Sequence, residues 1–96
     1  MILPTVKVTI LSRGAIVLNV RALTSHDRAT IYQRCIQLEN HRLVKKVIPE
    51  YEQNRIRLTF PAGMEQPEFD ARARSIVKQL AGREFKMPIQ VDRLHR

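Results

Sequence analysis

Tryptophan is absent, cysteine occurs once, and the three glycines stand apart from one another. The lone thiol, Cys35, excludes a disulfide framework within the chain, and a secreted domain of this size ordinarily carries several paired cysteines to supplement a limited core. A reducing compartment, the cytoplasm, is therefore expected. Gly14, Gly63 and Gly82 are each isolated and each has a turn or a helix end to explain it, which leaves no glycine-rich phosphate loop and makes nucleotide hydrolysis an unexpected activity. No apolar run approaches the roughly eighteen residues needed to cross a bilayer. The opening Met1-Ile2-Leu3-Pro4-Thr5 has no basic stretch followed by an apolar segment, so neither export nor membrane insertion is expected.

Reactive groups are as sparse as glycine. His26, His41, His95 and Cys35 are the only soft metal ligands, and no pair of them has a CxxC, HxxxH or HExxH spacing, so neither a metal site nor a cofactor is expected. Cys35 falls among apolar helix positions, where a free cysteine serves as a small hydrophobe. Glu50 and Glu52 flank Tyr51 in a segment rich in turn formers, which reads as a solvated loop rather than an acid/base pair. With no nucleophile, base and orienting group at a recognisable spacing, the chain is expected not to be an enzyme.

What remains is pattern and charge. At 96 residues, residues 1–96 are expected to form one compact α+β domain whose last few residues, ending Leu94-His95-Arg96, fray. Val6, Val8 and Ile10 alternate with Lys7 and Thr9, the period of a half-buried strand. Ser12-Arg13-Gly14 supplies turn chemistry, and Ala15 to Val20, apolar apart from Asn19, reads as a more enclosed strand. A Thr24 cap with Asp27 three residues later starts a helix running to about Asn40, with Ile31, Tyr32, Cys35, Ile36 and Leu38 on its apolar arc. Leu43 to Ile48 and Arg55 to Phe60 read as a second strand pair joined by a loop from Pro49 to Asn54.

A second helix is expected from about Gln66, with Pro67 in its first turn, Phe69, Ala73, Ile76, Val77 and Leu80 in one stripe, and Gly82 closing it. Phe85, Met87, Ile89 and Val91 then alternate with polar residues, and Pro88 marks a possible edge strand. The order is ββαββα with a final short strand. Two helices with one apolar stripe each imply a two-layer sandwich, in which both cover one face of a mostly antiparallel sheet. The two ββα halves share little residue identity, so duplication has slight support.

Seventeen Lys and Arg against nine Asp and Glu leave a net charge of +8, and twelve of the seventeen are arginine. Such a balance favours polyanionic or acidic partners. Eight cations face two acids up to Lys46, whereas nine face seven from Val47 onward. Lys45 and Lys46 on one strand, Arg55 and Arg57 on its neighbour, Tyr51 at the connecting loop, and Lys7, Arg13 and Arg21 from the first hairpin form the candidate binding face. Such a face can track a DNA or RNA phosphate backbone. It lacks the row of stacking aromatics that reads single strands. The aromatic-rich strands of an RNA-recognition motif, the GxxG loop of a KH domain, a helix-turn-helix and the αβββα order of double-stranded-RNA-binding domains are all missing. The alternative is an assembly or adaptor subunit docking on an acidic protein surface through the same arginines. An exposed sheet edge also makes a homodimer possible.

Overall fold

The alternating N-terminal segment folds as a hairpin in which β1 (Lys7–Leu11) and β2 (Ala15–Asn19) pair antiparallel, Lys7 opposite Asn19 and Leu11 opposite Ala15. The structure, a computed structural model, describes residues 2–11 and 14–92. Arg13 and the expected fraying of the last residues lie outside them.

Helix α1 (Ser25–Asn40) begins as its sequence predicts, with Thr24 Oγ1 accepting the Asp27 N–H at 3.1 Å. Ile31, Cys35 and Leu38 are buried, and Tyr32 and Ile36 pack against the same core. Its end is the surprise. The Leu43 N–H reaches back to the Leu38 carbonyl at 2.9 Å and the Arg42 N–H to the Glu39 carbonyl at 3.0 Å. That is the pair of bonds of a Schellman cap, whose left-handed position is usually glycine. Here it is Arg42, at φ 62°.

The cap uses up residues expected to open a strand. β3 therefore runs from Lys46 to Glu50 rather than from Leu43 to Ile48. The expected loop contracts to a single 3-10 turn, Tyr51–Gln53, and a left-handed Asn54 before β4 (Arg55–Thr59). Pro49 sits inside β3, which is permitted because β3 lies at an edge of the sheet.

α2 (Gln66–Ala81) carries Pro67 in its first turn and buries Phe69, Ala73, Ile76, Val77 and Leu80. It closes at Gly82, φ 52°, where a Cβ would stand 3.0 Å from Arg34 Nη1 and 2.9 Å from Glu84 Oε1. Glycine there admits a guanidinium to the helix end: Arg34 donates to the Leu80 carbonyl at 2.9 Å, pairs with Glu84 and lies over the Phe85 ring. Arg28 performs a similar task on the sheet, donating to the Val20 carbonyl at 3.2 Å and to Asn54 Oδ1 at 3.0 Å.

The strand order is β3-β4-β2-β1-β5, with β5 spanning Ile89–Asp92. Three pairings are antiparallel, but β5 lies parallel to β1, with Val8 opposite Ile89, so the sheet is mixed. One parity of strand residues (Val8, Ile10, Ile16, Leu18, Val47, Ile56, Leu58) is buried in a single cluster with the apolar residues of both helices. Phe60 meets Phe69 edge to face at 5.0 Å. The Cα radius of gyration is 12.7 Å, close to the roughly 12.5 Å of a compact chain this long.

A left-handed conformation costs an L-residue on the order of 1–2 kcal/mol, partly offset in glycine by the greater entropy of its unfolded chain. Replacing Arg42 by glycine is therefore expected to stabilise the fold by about 0.5–1 kcal/mol. A urea midpoint that falls, with the m-value unchanged, contradicts this account of the helix end.

Candidate cationic surface

The register lines up the strand residues of the other parity in three rows. Glu50, Arg55, Asn19 and Lys7 form the first; Ile48, Arg57, Val17, Thr9 and Gln90 the second; Lys46, Thr59, Ala15, Leu11 and Asp92 the third. The middle row is thus apolar or neutral apart from Arg57, and the remaining cations of this face stand in the two outer rows.

Arg55 and Arg57 do lie together, but they are not free. Both converge on one carboxylate oxygen, Glu50 Oε1, at 2.6 Å from Arg55 Nε and 3.5 Å from Arg57 Nε. The Arg55 hydrogen bond, aided by the positive charge of both arginines, holds the Glu50 carboxyl below its ordinary range. Glu50 was assigned to a solvated loop on sequence because Pro49 reads as a strand breaker. The overlooked signal is that Lys46, Ile48 and Glu50 alternate with Val47 and Pro49.

Lys46 shares this face but stands opposite Thr59, at the far end of β3 from Glu50, about 13 Å away at the usual strand rise. Lys45 precedes the strand in a bend and is exposed. Lys46 is therefore a diagonal neighbour of Arg57, at about 7–8 Å, but stands away from Arg55 and Glu50. Tyr51 leaves the group altogether: its ring meets Tyr32 of α1 in a T-shaped contact at 6.5 Å. Partial burial raises its hydroxyl pKa.

Lys7 and Arg21 are brought together. With Thr5, Asn19 and Ala22 they line a recess of about 190 Å³ at the end of the first hairpin. The Arg21 N–H donates to Asn19 Oδ1 at 3.0 Å, which ties the turn to the strand. Lys86, which sequence reasoning did not select, is exposed and bridges to Thr5 through a parallel backbone pairing. Among the described residues, Lys7, Arg21 and Lys86 form no ion pair, and the recess lining contains no acid.

Elsewhere the chemistry is quiet. Burial pushes the Cys35 thiol up to about 12, which keeps it protonated and unreactive at neutral pH. Among the described residues, no three His, Cys, Asp or Glu side chains are grouped so as to hold a metal ion, and no helix is long and apolar enough to cross a membrane. No known protein-family model matches the chain, and no curated protein matches it.

Because the folded state lowers the Glu50 pKa, the shared contact stabilises the protein above about pH 4.3, the unfolded value, and its contribution disappears as pH falls through the folded value. An NMR titration is expected to show Glu50 ionising below the ordinary glutamate range, with Arg55→Ala moving it upward. Coincident titration in the parent and the variant contradicts the pairing.

Proposed function

We propose that the protein is a small non-enzymatic module that binds the phosphate backbone of a nucleic acid. In this reading both helices cover one face of the sheet in a two-layer sandwich, and the opposite face with its hairpin end receives the polyanion. The observation that carries it is the recess lined by Lys7 and Arg21, which has no acid in its lining among the described residues. An ammonium and a guanidinium supply charge-assisted donors to phosphate oxygens, and Asn19 and Thr5 add neutral polar groups beside them. Lys46 offers a second, separate phosphate contact, and Lys86 extends the first.

Backbone contact fits better than base readout, because the face lacks aromatics. Phe60, Phe69 and Phe85 are in the core, and Tyr51 packs on Tyr32. Arg55 and Arg57 are secondary in this scheme, since Glu50 already neutralises part of their charge. A cytoplasmic setting accords with the single unpaired cysteine.

The test is fluorescence-anisotropy titration of labelled DNA and RNA oligonucleotides over a range of salt concentrations. Lys7→Glu with Arg21→Glu is expected to weaken binding at least about tenfold and to reduce the slope of log affinity against log salt by about 2, one unit per lost phosphate contact. Glu50→Gln, which releases two guanidinium groups, is expected to strengthen binding several-fold. Undiminished binding by the double variant removes the site. If the parent protein shows no salt-dependent binding to any nucleic acid, the reading fails and an acidic protein surface becomes the partner to seek.

A further inference from the structure

The two edges of the sheet are built differently. At the β3 edge, the N–H groups directed away from β4 belong to Val47 and Pro49. Glu39 Oε1 of α1 accepts the first at 2.8 Å, and proline has none to offer, so this edge presents no free donor to a further strand and disfavours its addition. At the other edge, Val6 and Val8 donate to the Lys86 and Pro88 carbonyls at 2.8 and 2.9 Å. Lys86, Pro88 and Gln90 therefore direct their backbone groups inward to β1, while Met87, Ile89 and Val91 direct theirs outward. Val91, opposite the buried Ile10 in register, is nonetheless 47% exposed. Among the described residues, none pairs with the outward donors and acceptors of this edge, and Val91 is an uncovered apolar side chain.

We infer that the β5 edge pairs antiparallel with the β5 edge of a second copy of the chain, about a two-fold axis at Ile89. In that register Ile89 faces its own copy and Met87 faces the partner copy's Val91, which closes an apolar strip on the helix side. On the opposite side, Lys86 stands directly across from the partner copy's Asp92, and the symmetry repeats this complementary pair. Opposite charges directly across a strand pair stabilise it, whereas like charges oppose it. The pairing exchanges about six main-chain hydrogen bonds.

With the β3 edge blocked, association ends at two copies, because a sheet with one usable edge closes on itself instead of growing into a fibre. The net charge of +8 on each copy opposes the contact only over a range screened to about 8 Å at 0.15 M salt. The pairing also sets the recesses of both copies on the same face of one continuous sheet. The inference stands on the edge geometry and does not depend on the polyanion reading.

An edge contact of this length falls below about 1,200 Å² in total, the small end of specific interfaces, so the dimer is of modest affinity. Sedimentation equilibrium from about 10 µM to about 1 mM at physiological salt is expected to show the mass rising from one chain and levelling at two, as mass action requires. Val91→Pro, which copies the device of the β3 edge, and Asp92→Lys, an exposed change compatible with folding, are each expected to move the midpoint concentration upward at least about tenfold. Combining Lys86→Asp with Asp92→Lys is expected to restore it, with circular dichroism confirming an intact fold throughout. A single-chain mass over the whole range, growth beyond two, or a dimer indifferent to both single variants overturns the proposal. Failure of the charge swap to restore pairing overturns the register.

Discussion

The antiparallel contact between β2 and β4 is the joint on which the rest of the molecule depends. Each hairpin alone is a two-stranded ribbon, which is marginal in water. Their second strands meet from Ala15 opposite Thr59 to Asn19 opposite Arg55, and Ile16, Leu18, Ile56 and Leu58 become fully buried there. Burial of each such side chain is worth about 1.5–3 kcal/mol, a large share of the roughly 5–15 kcal/mol by which a domain exceeds its unfolded state. The same joint aligns the rows of the opposite sheet face. Arg55 stands beside Asn19, and Asn19 beside Lys7, only because the two hairpins meet in this register.

Net charge proves a blunt guide to the surface, since arginine serves the interior of the fold as well. Arg28 ties α1 to the ends of β2 and the second hairpin, and Arg34 caps α2 while packing over Phe85. Arg55 and Arg57 share Glu50. The fork geometry that suits arginine to phosphate suits it equally to carbonyls and carboxylates within the chain. Among the described residues, Lys7, Arg21 and Lys86 join Lys45, Lys46, Arg42, Arg74, Lys78 and Arg83 as cations in no ion pair, and what sets Lys7 and Arg21 apart is that they line one recess.

The features legible in the sequence are those encoded locally. The Thr24 cap, the α2 stripe from Phe69 to Leu80 and the alternation of β1 each depend on neighbours within a few residues, and each appears where its pattern places it. Arg42 was illegible because a Schellman cap without glycine leaves no compositional mark. The place of Glu50 was harder to read, because the proline before it fits a strand interior chiefly at an edge, and edges are decided by the whole sheet. For the candidate site, the proximity of Lys7 and Arg21 was readable from their places in the first hairpin. The separation of Lys46 from Glu50, the sharing of Glu50 by Arg55 and Arg57, the packing of Tyr51 on Tyr32 and the approach of Lys86 to Thr5 all depend on contacts between distant segments.

The parallel placement of β5 follows from the same topology. β1 and β4 run in one direction, because each is antiparallel to β2. α2 returns the chain to the end of the sheet from which β4 started, so a strand formed after it must run as β4 does. The place beside β4 is already taken on both sides, by β2 and β3. Two edges are then open, and the one beside β3 is occupied by the Glu39 carboxylate and by Pro49; next to β1 the new strand is necessarily parallel, and a crossover through a helix is the connection that such a pairing requires. The strands that follow the two helices are therefore the two edges. Only β3 carries a proline and a helix carboxylate to close it, and this asymmetry gives a chain with two sheet edges a single side on which a further strand can add.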